Sequence, residues 1–344
     1  MGLKFKEIIV SKEISIAELN GKILAVDGMN ILYQFLTTIR SADGSALTDS
    51  NGNVTSHLIG LFNRTTALME QGLKLVFVFD GQPPEIKRKT WELRTKIKQQ
   101  ASLQLSQAKQ LGNITEMKKF SSRTAVLTKG MVEEAEKVIS ALGLPIVKAP
   151  SEGEAQTAHM VKAGSAYASI SQDYDNLIFG CPRLIKNLSI TGKRKKAGTL
   201  SYQTVKPEMI LLADVLKELQ LDLDQLIFLA MLAGTDYNPG GIKGIGPKKA
   251  LKLIKDKKNP ESIFSEVNWN SQYPDLGWKE LFKAIKEMPV TDNYRLEWKP
   301  PDAGKLTSLL VEQHEFNKER VNSKLEALQK EMKKYSQKGL QGFF

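Results

Sequence analysis

Ile23-Leu24-Ala25-Val26-Asp27 is an apolar run that ends in an aspartate, and the pattern returns in Leu75-Val76-Phe77-Val78-Phe79-Asp80. Continuous apolar runs of this length read as strands buried on both faces, the habit of parallel sheets. A carboxylate at the C-terminal end of such a strand lies where open α/β sheets bind ligands. Further along the chain, Glu152 and Glu154 follow Pro150-Ser151, and Asp173 and Asp175 follow the short apolar run Ala166 to Ile170. Asp236 follows the apolar helical pattern Leu226 to Ala233. Seven acids gathered by one fold need cations, because like charges near 4 Å repel by roughly 4 kcal/mol per pair near a surface.

The chain has 344 residues, 41% of them hydrophobic, enough for one large α/β domain or two modest ones. Lys and Arg number 49 against 38 Asp and Glu, a formal net charge of +11. A basic chain with a cluster of acids suits a protein that meets a polyanion with its surface and holds metals in its site. A basic protein with no polyanion partner has the same net charge. Cys181 is the only cysteine, so an internal disulfide is excluded and an intracellular setting is expected. His57, His159 and His314 lie far apart without zinc spacing and read as core or surface histidines. No apolar run approaches the length of a membrane span.

Residues 1–80 predict strand, helix, helix, strand, with helical spacing over Asn30 to Ile39 and over Ser56 to Gln71, where Gly72 stops the helix. Residues 85–123 carry ten Lys/Arg against three acids, a net +7, and only a sparse apolar stripe. This predicts one long, weakly buried helix projecting from the body; a solvated helix lying on the core has the same periodicity. A helix over Met131 to Leu142 and a strand over Leu144 to Val147 follow. Ser151 then reads as a helix cap, with Glu154 completing a capping box. Leu184 to Val205 predicts a hairpin whose tip is the basic knob Lys193-Arg194-Lys195-Lys196. Beyond 207 the pattern is helical, and the last eight residues, from Gln337, read as flexible.

Three motifs carry chemistry. Taken singly, Glu152 and Glu154 read equally as first-turn helix acids, and Asp173 and Asp175 as turn formers. Jointly, acids with matching flanks at four strand-end or turn sites favour hard cations with oxygen ligands. Two such ions roughly 3.5–4 Å apart clamp a phosphodiester at its attacking and leaving oxygens. Gly241-Ile242-Lys243-Gly244-Ile245-Gly246-Pro247-Lys248-Lys249-Ala250 opens a helix and follows another, so it reads as a helix-hairpin-helix. Its amides at Gly244 and Gly246, with Lys248 and Lys249, can approach a DNA backbone without reading bases. In the run from Gln337 to Phe344, Leu340, Phe343 and Phe344 would be displayed on one helical turn as anchors for a partner's apolar pocket; a frayed end packed back on its own body is the alternative.

On these residues the chain resembles a flap endonuclease of the structure-specific 5′-nuclease superfamily, most of all its archaeal members. The resemblance covers nearly the whole chain. It rests on Val26-Asp27 with Tyr33-Gln34-Phe35-Leu36, on Val78-Phe79-Asp80-Gly81-Gln82-Pro83-Pro84, and on Ala149-Pro150-Ser151-Glu152-Gly153-Glu154-Ala155. Ser171-Gln172-Asp173-Tyr174-Asp175 and Leu232-Ala233-Gly234-Thr235-Asp236-Tyr237 extend it. The start Gly2-Leu3-Lys4-Phe5 departs from the family's commoner Gly-Ile/Val-x-Gly.

The resemblance implies two Mg²⁺, with Mn²⁺ as substitute, held by Asp27, Asp80, Glu152, Glu154, Asp173, Asp175 and Asp236. It implies arch cations Lys87 and Arg94 at the scissile phosphate, and Tyr33 as a base-stacking platform. DNA contacts at Arg40, Lys193 and Arg194 are expected beside those of the hairpin, where the family holds a K⁺. The tail resembles a sliding-clamp-binding box; a chain that stops at Phe344 fits an archaeal origin. The expected substrate is branched DNA with a 5′ flap, cut endonucleolytically with an associated 5′-3′ exonuclease activity, in Okazaki fragment processing and repair. The expected setting is the cytoplasm of an archaeon, for a protein monomeric by itself.

The fold class implied is α/β: a central, mostly parallel sheet flanked by helices, with a helical arch and a helix-hairpin-helix lobe. The expected division is a nuclease core over 1–325, made of an N-terminal region 1–83, an arch 84–130, an internal region 131–222, a helix-hairpin-helix 223–258 and C-terminal core helices 259–325. A tail follows at 326–344, with its motif at 337–344. Two other functions compete: a Holliday-junction or excision-repair 5′-nuclease, and a catalytically silent scaffold that binds DNA and the clamp.

Overall fold

The two opening runs become adjacent parallel strands. The structure, a computed structural model, describes residues 3, 5–190, 192–195, 202–257 and 259–341, with 88–91, 93–94, 190, 192–195, 202–203 and 332–341 entering as backbone only. In chain order its first elements are β1 (Lys12–Glu13), β2 (Ile23–Asp27), α1 (Gly28–Thr38), α2 (Ser56–Glu70) and β3 (Lys74–Phe79). Then come α3 (Arg88–Gln110), α4 (Ile114–Arg123), α5 (Lys129–Ala141), β4 (Ile146–Lys148), α6 (Gly153–Lys162), β5 (Ala168–Ile170) and α7 (Asp175–Ile178). β6 (Arg183–Lys186), β7 (Gly192–Lys195), β8 (Tyr202–Val205) and β9 (Glu208–Leu211) complete the strands. The rest is helical: α8 (Leu212–Leu219), α9 (Leu223–Ala233), α10 (Pro247–Lys257), α11 (Pro260–Glu266), α12 (Trp269–Gln272), α13 (Trp278–Lys286), α14 (Ala303–Thr307) and α15 (Lys318–Gln341).

Seven strands form the main sheet in the order β1-β9-β6-β5-β2-β3-β4. β6, β5, β2, β3 and β4 are mutually parallel; β9 runs antiparallel beside β6, and β1 antiparallel beside β9. The mostly parallel sheet expected from the apolar runs is therefore present. Alternation along the strands feeds two cores. Ala25, Val76, Val78 and Val147 face one, with α6 and α9; Leu24, Val26, Leu75, Phe77 and Phe79 face the other, with α1, α2, α5 and the start of α15. Burial on both faces explains why these strands read as continuous apolar runs.

Topology decides where the acids go. The chain proceeds from β2 to β3 to β4, then returns to lay β5 on the other side of β2. That reversal makes a crevice at the C-terminal edge between β2 and β5, a topological switch point. β5, β2, β3 and β4 are neighbours, and each is followed by one of the predicted acid sites.

The structure corrects several expectations. Residues 85–123 form a short 3-10 turn (Glu85–Lys87) and then a hairpin of two helices, α3 and α4, instead of one long helix. Gly112 takes the left-handed conformation (φ 62°) at the turn, and Asn113 caps α4 by accepting the Glu116 N–H. The hairpin buries Ala101 and Ala108 on α3 and Phe120 on α4, while Ile97 and Leu111 of the stripe stay exposed. Arg183–Lys186 belongs to the main sheet, so the predicted hairpin is only β7 and β8; Lys193 and Arg194 lie along β7 instead of at its tip. Glu208–Leu211 is a strand, because Met209 and Ile210 bury against the sheet edge. The backbone of 337–341, expected to be flexible, continues α15.

Candidate functional site

Each acid is placed by local structure. Asp27 ends β2 and caps α1, its Oδ1 accepting the Asn30 N–H at 3.0 Å and its Oδ2 facing the Ser171 hydroxyl at 3.5 Å. Asp80 leaves β3 and accepts the Gly153 N–H at 2.7 Å, so it serves the first turn of α6 from another strand. This overturns the predicted capping box. Glu152, not Ser151, is the cap residue of α6 and makes no capping bond, since its carboxylate meets Lys87 at 2.5 Å instead. Glu154, at the second position of α6, points among the other acids. Glu154, Asp173 and Asp175 each bring an oxygen within 4.8 Å of the others, the one such trio of metal-ligating side chains among the described residues. Asp236 follows α9, with a carboxylate oxygen 3.9 Å from Lys87 Nζ. The Leu3 N–H reaches Asp175 Oδ2 at 3.3 Å, which brings the N-terminal segment to the site.

Crowding and burial perturb these groups. Desolvation first, then Asp80, Asp173 and Glu152, push the Asp27 carboxyl up to about 8 against the Asn30 hydrogen bond. Desolvation, Asp236 and Asp173 hold Asp175 at about 8 as well. Glu154 rises well above the usual range through burial, Asp175 and Asp27. Desolvation also raises Asp80 and Glu152, although Lys87 pulls both down. Burial opposes charge on Lys87, whose side chain is 12% exposed, but Glu152 and Asp236 outweigh it and keep the ammonium. Such paired shifts in a cleft mark a candidate functional site. The donor set is entirely carboxylate oxygen, which fits hard divalent cations and no soft metal.

Other predicted residues lie around this centre. Tyr33 on α1 is 40% exposed, with Lys98 Nζ 5.9 Å from its ring centroid. Arg40 is engaged by α4, its Nη1 donating to Ser121 Oγ at 2.9 Å and to the Gly44 carbonyl at 3.3 Å. Lys248 and Lys249 are exposed at the start of α10, Lys248 paired with Glu7 at 2.9 Å and Lys249 donating to the Gly244 carbonyl at 3.1 Å. The α9–turn–α10 unit has the expected form. Gly241 (φ 60°) is required in it, because a Cβ there would lie 2.4 Å from the Ala233 carbonyl carbon. Arg94, Lys193, Arg194, Gln337 and Leu340 are placed as backbone only; Phe343 and Phe344 lie outside the described residues.

Sequence reading missed three residues that lie beside the acids. Tyr237 is buried beside them, its ring centroid 5.3 Å from Lys87 Nζ. Lys186, at the end of β6, lies 3.2 Å from the centre of the Tyr174 ring; burial lowers its ammonium to about 8 against Asp173 and Glu208. Asn30 contacts the Asp173 turn. Only its position three residues after Asp27, at the start of a helix, signalled that contact.

Comparison with known proteins agrees with this geometry. Residues 3–101 match the XPG N-terminal domain and residues 143–236 the XPG I-region. Flap endonuclease 1 of Pyrococcus furiosus is 48% identical over 348 residues, covering 100% of this chain and 99% of the relative. The chain belongs to the flap endonuclease 1 family. Flap endonuclease 1 of Thermofilum pendens is 47% identical, again over 100% of this chain and 99% of the relative. The structure of flap endonuclease-1 from Methanococcus jannaschii superposes with a TM-score of 0.75 at 39% identity, over 97% of this chain and 100% of that one. Among the described residues no helix is long and apolar enough to cross a membrane.

Proposed function

We propose that this protein is a metal-dependent, structure-specific nuclease that hydrolyses the phosphodiester at the base of a 5′ flap, with an associated 5′-3′ exonuclease activity, in DNA replication and repair. The observation that carries this reading is the gathering of seven carboxylates and Lys87 at the C-terminal edge of four neighbouring strands, in a chain of net charge +11. Asp27, Asp80, Glu152, Glu154, Asp173, Asp175 and Asp236 would hold two Mg²⁺, or Mn²⁺ in their place, and a K⁺ would sit at the α9–α10 turn. Two such ions would supply Lewis-acid activation of an attacking water and a counter-charge for the phosphate oxygens. The chain's own groups do the rest. Tyr33 stacks an unpaired base at the junction. Lys87 and Arg94 reach the scissile phosphate from the arch base and offset charge as the bond breaks. Gly244, Gly246, Lys248 and Lys249 grip the duplex backbone, with Arg40, Lys193 and Arg194 as further phosphate contacts.

The division into a nuclease body, an arch at 84–130, a helix-hairpin-helix at 223–258, C-terminal core helices at 259–325 and a tail at 326–344 belongs to the same reading. In it Gln337, Leu340, Phe343 and Phe344 tether a sliding clamp, and the protein works as an intracellular monomer. Relatives matched over the whole chain at 44–48% identity that carry the flap endonuclease name favour flaps over four-way junctions as substrate. The test is Asp175→Asn, which keeps the shape and one ligand oxygen but removes a charge. Flap cleavage in Mg²⁺ should be nearly lost while flap binding persists. Cleavage at close to the parent rate would sink the metal assignment, and faster cutting of a four-way junction than of a flap by the parent protein would redirect the substrate.

A further inference from the structure

We infer that Asn30 is a positioning residue that fixes Asp173 relative to Asp27 across the crevice between β2 and β5; the inference rests on the metal-site reading above. Asn30 lies in the first turn of α1, where its backbone N–H donates to Asp27 Oδ1 at 3.0 Å. Its side chain crosses to the loop after β5. Nδ2 donates to Asp173 Oδ2 at 2.7 Å, and Oδ1 accepts the Gln172 N–H at 3.1 Å. Both ends of the amide are therefore committed, and in one sense only. Turning it over would set its oxygen against the Asp173 carboxylate and its NH₂ against the Gln172 N–H.

The topology explains why such a bracket is needed. β2 and β5 are hydrogen-bonded neighbours, but they belong to the two sides of the switch point. Asn30 and Asp173 are 143 residues apart in sequence, so no short connection sets their spacing. The Asp173 N–H donates to the Ser171 hydroxyl oxygen at 3.2 Å, a further bond that shapes the turn itself. Only Asn30 among the described residues makes a side-chain bond to Asp173 while its backbone is bonded to Asp27. A neutral amide suits the place. It orients one oxygen of Asp173, leaves the other free, and withdraws no charge from the cluster as a lysine would. Groups that orient metal-binding carboxylates typically change metal affinity about 10–100-fold when removed.

The experiment compares Asn30→Leu, similar in size and without either bond, with Asn30→Ala, which removes both bonds without adding a branched side chain. Mn²⁺ binding to the DNA-free protein is measured by calorimetry and by electron paramagnetic resonance, and the flap cleavage rate is followed against Mg²⁺ concentration. In whichever variant melts as a folded protein, Mn²⁺ should bind about 10–100-fold more weakly and half-saturating Mg²⁺ should rise in parallel. The rate at saturating Mg²⁺ should stay within a few-fold of the parent. Unchanged Mn²⁺ affinity, or a loss of saturated rate with unchanged half-saturation, would overturn the positioning role. Asp175→Asn is run alongside. If it too leaves Mn²⁺ binding intact, the metal reading itself falls; if it abolishes binding while both Asn30 variants bind normally, only the bracket falls.

Discussion

Lys87 Nζ lies 2.5 Å from Glu152 Oε2 and 3.9 Å from Asp236, with the Tyr237 ring beneath it. Lys87 closes the 3-10 turn that leads into α3, so the α3–α4 hairpin is joined to the acid cluster by an ion pair at its base. To reach a phosphate, Lys87 must exchange the Glu152 carboxylate for a phosphate oxygen. In the proposed reading the same ammonium neutralises the site before substrate arrives and would serve the substrate afterwards.

Lys87→Met should therefore have two effects of opposite sign. Single-turnover cleavage should fall by about 10²–10³, as expected when a group that stabilises developing charge is removed. Mn²⁺ should bind the free protein several-fold more tightly, because a competing cation has left the carboxylates. Duplex affinity should hardly change. Rapid-quench kinetics and calorimetry on one preparation separate the effects, and equal losses of DNA affinity and rate would assign Lys87 to binding alone.

The raised carboxyls make a signed prediction about pH. Asp27 and Asp175, at about 8, keep protons in the folded state that the unfolded chain has lost by about pH 4 to 5. Their contribution to stability is present at low pH and is lost as pH rises toward 8. His57 acts in the opposite sense. It is fully buried, with desolvation first and His314 second lowering it to about 4, so its contribution is lost as pH falls from 6.5 toward 4. Between pH 6.5 and 8 the raised acids set the slope; Lys186, lowered to about 8, acts in the opposite sense from there up. In EDTA the melting temperature should decline from pH 6.5 to 8, and Mg²⁺ should restore it increasingly toward the alkaline end, releasing protons on binding. A flat profile in EDTA would show that these acids do not carry the shared proton load.

Lys248 and Lys249 stand exposed where α10 begins. Replacing both with Ala should weaken binding equally across DNA sequences and reduce the slope of log K against log salt by roughly 1–2, since fewer counterions are released. Binding isotherms at four salt concentrations measure it, and an unchanged slope would place the DNA elsewhere.

Val321, Leu325 and Leu328 anchor the first half of α15 in the core. Ending the chain after Ser336 keeps those anchors, so the melting temperature and basal flap cleavage should hold. Stimulation by a sliding clamp should disappear with Leu340, Phe343 and Phe344, because two buried aromatic side chains are each worth roughly 1.5–3 kcal/mol. Clamp stimulation that survives truncation would end the tether reading; a fall in melting temperature would show the tail packing on its own body.

The sequence by itself determined the two central strands β2 and β3, their acids and the turn before α10. Ile23 to Asp27 and Leu75 to Asp80 each encode, within six residues, a strand buried on both faces and the carboxylate at its end; Gly241 to Ala250 encodes its turn just as locally. These signals are legible because backbone state and burial follow from the order of neighbouring residues. Tertiary structure alone decided which strand lies beside which, and every site contact that depends on that order. Asp80 serving the first turn of α6, Lys87 on Glu152, and Asn30 on Asp173 each join residues separated by 65 or more positions. No periodicity spans such distances. The folding of residues 85–123 into a hairpin escaped the sequence for a related reason: a long helix and a short one keep the same sparse periodicity as a single helix until Gly112 turns the chain.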